Sequence, residues 1–143
     1  MTHVLVPVDD SEPASAALEF ACEQYPDGRF TLLYVVDPMI DYARERAYPG
    51  YATGDDPHGN EREKGEAVLE SLRETVPTEI DVETVLEVGA PARAIVRYAE
   101  NDDVETIVIG SHGRDGSARY LLGSVAETVV RRSPESVPVT VVK

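Results

Sequence analysis

The chain has 143 residues, of which 42% are hydrophobic, and that length suits one domain with a core of its own. Its 27 acidic and 13 basic residues give a net charge of -14, which repels nucleic-acid backbones and anionic membranes. The composition therefore argues against a disordered chain, a nucleic-acid partner and a membrane partner. The only cysteine, Cys22, excludes an internal disulfide and predicts a cytoplasmic location.

The acidic residues are spread over the whole chain and do not form one block. Two interpretations follow from this distribution. The acidic surface could recruit a basic partner, or it could be an adaptation to high intracellular salt, where screening removes the self-repulsion. We favour the second interpretation, which predicts a salt-loving source such as a halophilic archaeon.

The first half of the chain predicts two strands and two helices. A β-branched run at 4–8 is the first strand, and Ser11 then has the position of an N-cap before a helix with Pro13 in its first turn. Cys22 lies on the apolar stripe of that helix, where core packing explains it. Residues 30–36 form the second strand. Segment 37–60 has no sustained period, which is typical of a functional or mobile loop, and a helix follows at 61–76.

The second half continues the alternation. Strands are predicted at 82–88, 106–109 and 137–142, and a tight turn at Gly89 leads into a helix that begins near Pro91. Ser124 and Glu127 have the spacing of a capping box, which predicts the start of the last helix, and Val125, Val129 and Val130 supply its apolar positions.

Strands and helices that alternate in this way predict an α/β fold: a single domain with a five-stranded, mostly parallel sheet and helices on both faces. In such folds ligands bind beyond the carboxyl ends of the strands. Pro138 cannot donate a ladder hydrogen bond, so we expect the last strand to lie at an edge of the sheet. An exposed β-branched edge favours pairing with a second copy of the chain.

Three segments are expected to end at the same rim of the sheet: the first strand at Asp9, the second at Val35 and Asp37, and the fourth at Gly110. The loop after Gly110 is rich in glycine, which lets backbone amides approach phosphate oxygens. Ser124 lies at a helix N-terminus, where free amides favour an anion, and Arg114 could neutralise phosphate charge.

On local chemistry alone, the glycines could simply turn the chain, and Ser124 could simply cap a helix. The loop is neither a Walker A sequence, because no Gly-Lys-Ser/Thr occurs, nor a dinucleotide fingerprint, because the glycine spacing differs.

The spacing Gly110-x2-Gly113-x9-Gly123-Ser124 resembles the nucleotide-binding pattern of the ATP-binding branch of the universal stress protein family. The flanking segments 6–9, 35–37, 88–91 and 138–142 are similar to that family as well. The resemblance covers essentially the whole chain, 1–143, except the loop at about 38–60. It implies a Rossmann-like fold of the adenine nucleotide alpha hydrolase type with strand order 3-2-1-4-5.

The resemblance also implies the ligand and its contacts. ATP is the expected ligand, with Mg²⁺ or Mn²⁺ carried by its phosphates and few direct protein ligands. Members of the family form homodimers through the last strand, so the resemblance implies a homodimer through 137–142. The implied contacts of the base and ribose are Pro7, Val8, Asp9, Val35, Ile109 and Gly110. The implied contacts of the phosphates are Gly113, Gly123, Ser124 and the amide of Val125.

His112 is the most tempting catalytic residue, but the sequence offers neither a nucleophile nor an orienting partner for it. We therefore interpret His112 as a ribose or phosphate contact, with simple exposure to solvent as the alternative. Asp9 and Asp10 are adjacent, so their side chains should diverge and not work as an acid–base pair. The leading hypothesis is an ATP-binding regulator or switch in the stress response, at most a slow ATP hydrolase. The alternatives are a nucleotide-using transferase and an interaction module whose pocket is empty or holds AMP.

Overall fold

The computed structural model describes residues 1–39, 59–111 and 123–143. Nine elements alternate along these residues. The strands are β1 (His3–Pro7), β2 (Arg29–Val36), β3 (Asp81–Val88), β4 (Thr106–Gly110) and β5 (Val139–Val142); the helices are α1 (Glu12–Gln24), α2 (Gly59–Thr75), α3 (Pro91–Asn101) and α4 (Ser124–Arg132).

The five strands form one sheet in the order β3-β2-β1-β4-β5, and every neighbouring pair is parallel. The predicted fold class and strand order are confirmed. The chain moves outward from β1 to β3 on one side and then crosses to β4 and β5 on the other. The strand order therefore reverses between β1 and β4, which is where such sheets leave a crevice for a ligand.

Alternate residues of the strands supply two separate cores. On β1, Val4 and Val6 belong to the core beneath α1 and α2, whereas Leu5 belongs to the core beneath α3 and α4. Successive side chains of a strand point to opposite faces, so this division places helices on both faces of the sheet, as predicted. The central strands are buried on both faces and read as continuous apolar runs.

The helix starts depend on their caps. Ser11 is the N-cap of α1, as predicted, and its Oγ accepts a hydrogen bond from the Ala14 amide at 3.3 Å. The predicted capping box of α4 is wrong, because Gly123 is the N-cap and Ser124 is already the first helical residue. The Glu127 side chain instead accepts from Arg131 Nη2 at 2.8 Å, one turn along the helix. Val130 is 44% exposed and faces away from the core.

The last strand lies at an edge of the sheet, as predicted, although Pro138 precedes it. The paired strand begins at Val139, and the Pro138 carbonyl accepts hydrogen bonds from the Ile107 amide and the Thr106 hydroxyl. Pro138 therefore lies just before the last strand and contributes only its carbonyl group to the pairing with β4. The edge position follows from the strand order.

Two sequence predictions fall largely outside the described residues. The loop predicted at 37–60 lies mostly there, and α2 begins at Gly59, two residues before its predicted start. The glycine-rich loop after Ser111 lies there as well, with His112, Gly113 and Arg114. None of the helices in the described part of the chain combines the length and the apolar character needed to cross a membrane.

Candidate functional site

A cavity of about 330 Å³ lies beyond the carboxyl ends of β1, β2 and β4. This is the crevice that the strand order leaves open. Nine residues predicted from the sequence line it: Pro7, Val8, Asp9, Val35, Ile109, Gly110, Gly123, Ser124 and Val125. The fold thus brings together residues that are more than 100 positions apart in the chain. Their assignment as ligand contacts stays a prediction.

The β1 and β2 side of the cavity carries two carboxylates. The Val8 amide donates to the Leu33 carbonyl at 2.9 Å, which continues the β1–β2 pairing to the residue before Asp9. The Asp9 carboxylate accepts a hydrogen bond from the Ser11 hydroxyl. Asp37 follows β2, and its Oδ1 accepts from the Met39 amide at 2.9 Å. Both carboxylates are half-buried and held in place by the chain that follows each strand.

Asp10 is directed elsewhere, toward α2. Its Oδ2 lies 3.7 Å from Lys64 Nζ, and the side chain is largely exposed. Asp9 lines the cavity and Asp10 does not. Of the two adjacent aspartates, only Asp9 therefore reaches this cavity, and the prediction that their side chains diverge stays a prediction.

The β4 side of the cavity is bounded by the start of α4. The Gly123 amide donates to the Ser111 carbonyl, and the Ser111 amide donates to the Val142 carbonyl at 2.8 Å. Because Gly123 is the N-cap and has no side chain, the N-cap residue itself gives this helix no side-chain hydrogen bond. The first intrahelical bond runs from the Glu127 amide to the Gly123 carbonyl at 2.9 Å.

Helix geometry leaves the amides of the first turn of α4 without intrahelical acceptors. Those residues, Ser124, Val125 and Ala126, all line the cavity. The free N–H groups and the positive end of the helix dipole make this wall favourable for an anion. The cavity therefore has negatively charged carboxylates beyond β1 and β2 and N–H donors at the start of α4.

Gly110 has a packing role that the sequence did not indicate. A Cβ on Gly110 would lie 2.7 Å from the carbonyl carbon of Pro13 and 2.8 Å from the Pro13 Cβ and carbonyl oxygen. No side chain fits there, because α1 crosses the end of β4 at this point. Glycine is thus required for the contact between α1 and β4, whatever the cavity binds.

Cys22 and His3 lie away from the cavity. Cys22 packs against the core beneath α1 and α2, and burial, with a smaller contribution from the Glu23 charge, raises the pKa of its thiol. His3 is buried, and its Nε2 lies 2.8 Å from the Thr31 hydroxyl. Within the described ranges, no group of three or more His, Cys, Asp or Glu side chains has the arrangement of a metal site.

The sequence pattern of the universal stress protein family matches residues 1–143. The chain belongs to this family. Two universal stress proteins of Methanocaldococcus jannaschii are each 31% identical to it, over 98% of this chain and 93% and 81% of their own lengths. The solved structure of the first of these has a TM-score of 0.79 at 28% identity, covering 99% of this chain and 96% of that one.

A universal stress protein of Archaeoglobus fulgidus, solved in complex with dAMP, has a TM-score of 0.63 at 25% identity. The aligned region covers all of this chain and 98% of that protein. Both comparisons span the entire domain, so the crevice and its walls fall within the shared fold.

Ser111, which belongs to the predicted glycine-rich stretch, also lines the cavity of this universal stress protein, and so do residues that were not predicted to do so: Ala14, Leu33, Pro91, Ile95 and Ala126. Ala14 and Ile95 belong to the apolar stripes of their helices, and the stripes do not distinguish a core position from a cavity wall. Ser111 stood inside the predicted loop, but its serine is not part of the glycine spacing. Only the assembled sheet identifies these walls.

Proposed function

We propose that this universal stress protein binds an adenine nucleotide, with ATP as the preferred ligand. The observation that carries the proposal is the cavity at the strand-order reversal, with the start of α4, whose N-cap is a glycine, on one wall. In this arrangement the base lies toward Val35, and the phosphates meet the first-turn amides of α4. Gly113 and Arg114, from the loop between Ser111 and Gly123, would complete the phosphate side, and His112 would contact the ribose or a phosphate.

The A. fulgidus relative supports an adenine nucleotide as the ligand class, since it was solved with dAMP. The step from a monophosphate to ATP comes from the glycine spacing Gly110-x2-Gly113-x9-Gly123-Ser124. Mg²⁺ or Mn²⁺ would enter with the phosphates and need few protein ligands. Asp9 and Asp37 are the cavity-lining carboxylates from which such an ion could gain one.

The role we propose is a nucleotide-dependent regulator or switch in the stress response, acting as a homodimer through 137–142. Support for the dimer comes from β5, a half-exposed edge strand made of valine and threonine. Hydrolysis of ATP would be slow at most, because the sequence has no Walker lysine. A reducing compartment such as the cytoplasm suits the single cysteine.

The acidic composition supports a further part of the proposal, a salt-adapted protein from a halophilic archaeon. Acidic residues occur on all four described helices, with eight glutamates on α1 and α2 on one face of the sheet and one each on α3 and α4 on the other. At high ionic strength the Debye length falls to about 3 Å, and the mutual repulsion of surface carboxylates is then largely screened.

Isothermal titration with ATP, ADP and AMP, at high salt with Mg²⁺, tests the ligand. We expect ATP to bind most tightly, and Gly113→Val to abolish binding because two methyl groups would occupy the phosphate position. The proposal fails if none of the three nucleotides binds with a dissociation constant below about 1 mM.

A matched pair of substitutions at Ser124 tests the helix start separately. Ser124→Pro removes the amide and the hydroxyl, and proline is favoured at the first helical position, so the helix should remain intact. Ser124→Ala removes the hydroxyl alone. We expect Ser124→Pro to weaken ATP binding about tenfold or more, as loss of a hydrogen bond to a charged group does, with a smaller effect for Ser124→Ala. Equal affinities for wild type and Ser124→Pro would exclude α4 from the phosphate site.

A further inference from the structure

A groove of about 740 Å³ lies between α1 and α2, on the opposite face of the sheet from α3 and α4. Part of its lining consists of small or apolar side chains: Ala16, Ala67, Val68, Ser71 and Leu72. Because several of these side chains are short, they leave the space between the two helices open. Among the described residues, the groove shares only Asp9 with the nucleotide cavity, so it is a separate surface.

The rest of the groove is strongly charged. Four of the twelve described residues that line it are acidic: Asp9, Asp10, Glu12 and Glu19. The one cation among those twelve, Lys64, has its Nζ 3.7 Å from Asp10 Oδ2. Glu12 and Glu19 are exposed and about 10 Å apart along α1, so the α1 wall presents negative charge over two helical turns.

The charge of the helices reverses from one face of the sheet to the other. α1 and α2 carry eight glutamates against three basic residues, a net charge of -5, whereas α3 and α4 carry two glutamates against four arginines, a net charge of +2. Salt screens every exposed surface alike, so salt adaptation does not explain a reversal of sign between the two faces. Negative charge is concentrated on the two helices that border the groove, and this charge is complementary to a basic occupant.

We propose that the groove between α1 and α2 docks an amphipathic helix of a partner protein, with Lys or Arg on the side that faces α1. The apolar stripe of the partner helix packs on the small and apolar lining, and its cations meet Glu12 and Glu19. A groove holds opposite charges in direct contact, where ion pairs persist even though the Debye length is about 3 Å at 1 M salt. This interaction goes beyond nucleotide binding and does not depend on it.

Fluorescence anisotropy with a labelled synthetic helix tests the proposal on the ligand-free protein at about 0.5 M KCl. The probe has a stripe of alanine and leucine flanked by lysines, and the control peptide has the same composition in scrambled order. We expect the probe to bind the wild type with a dissociation constant below about 100 μM, and the scrambled peptide to bind about tenfold more weakly or less.

Three substitutions separate the charge of the groove from its shape. Glu19→Lys reverses a charge on the α1 wall and should weaken probe binding about tenfold. Glu66→Lys makes the same change on α2 outside the groove lining and should alter the affinity by less than about twofold. Ala67→Gln keeps the charge but fills the groove, and should weaken binding about fivefold. All three positions are exposed, so the fold should be retained, which circular dichroism checks.

The groove is excluded as a docking site by any of three results: no saturable binding of the probe to the wild type, equal binding of the scrambled peptide, or equal losses in Glu19→Lys and Glu66→Lys. Sedimentation without peptide tests a second copy of the chain as the occupant. An assembly that Glu19→Lys dissociates and Glu66→Lys does not would assign the groove to that copy and overturn the partner helix. Nucleotide binding is titrated separately, so the failure of either proposal leaves the other standing.

Discussion

Substituting Gly110 by alanine tests the contact that joins the cavity to the core. The added Cβ would lie 2.7 Å from the carbonyl carbon of Pro13, about 0.8 Å inside an ordinary contact of about 3.5 Å between carbon atoms. Two of the three nearest atoms belong to the Pro13 backbone in the first turn of α1, so rotation of a side chain cannot relieve the overlap. Either α1 or the end of β4 must move.

Overpacking of this kind costs about 2 kcal/mol of unfolding free energy, which for a domain of this size lowers the unfolding temperature by about 8 °C. Thermal unfolding of the ligand-free protein at constant salt measures the effect, with urea unfolding as a second estimate. Ser15→Ala is the control, because Ser15 is exposed on α1 and should change stability by no more than about 0.5 kcal/mol.

Replacing Pro13 by glycine separates backbone from side-chain overlap in the Gly110→Ala protein. It removes the Pro13 Cβ but keeps the carbonyl group, so we expect at most partial recovery of the lost stability relative to the Pro13→Gly single variant. A Gly110→Ala protein that unfolds at the wild-type temperature would refute the close approach of α1 to β4. It would also return Gly110 to a role in ligand binding alone.

Three further predictions concern charge, thiol chemistry and assembly. Because the net charge is -14, raising KCl from 0.1 M to 2 M should raise the unfolding temperature, and a temperature independent of salt would argue against salt adaptation. The raised pKa of Cys22 lowers its thiolate fraction at any given pH, so the folded protein should react with iodoacetamide at pH 8 more slowly than the urea-unfolded chain; an equal or faster rate would contradict the burial. The Ile107 and Ser111 amides donate to the Pro138 and Val142 carbonyls, so in a parallel ladder the Thr140 amide faces β4 and the Val141 amide faces outward. Val141→Pro should therefore give monomers in light scattering with little loss of stability, whereas Thr140→Pro should mainly destabilise the fold; a dimer that survives Val141→Pro would exclude pairing through this edge.

The order and type of the elements could be predicted from the sequence because they depend on local patterns. Continuous β-branched runs predicted the central strands, and Ser11 before Pro13 predicted the start of α1. The strand order came with the family resemblance. The cap of α4 was predicted wrongly, since Ser124 and Glu127 satisfy the spacing of a capping box while the chain enters the helix one residue earlier, at Gly123.

The sequence by itself determined which residues converge at the carboxyl ends of the strands, because a parallel sheet with alternating helices brings Asp9, Val35 and Gly110 to one edge. Only the tertiary structure decided what each of them contacts. Gly110 meets Pro13 across a helix–strand crossing, and the Ser111 hydroxyl is enclosed without a partner. Such contacts depend on the distance between elements that are far apart in the chain, and no local pattern of residues encodes that distance.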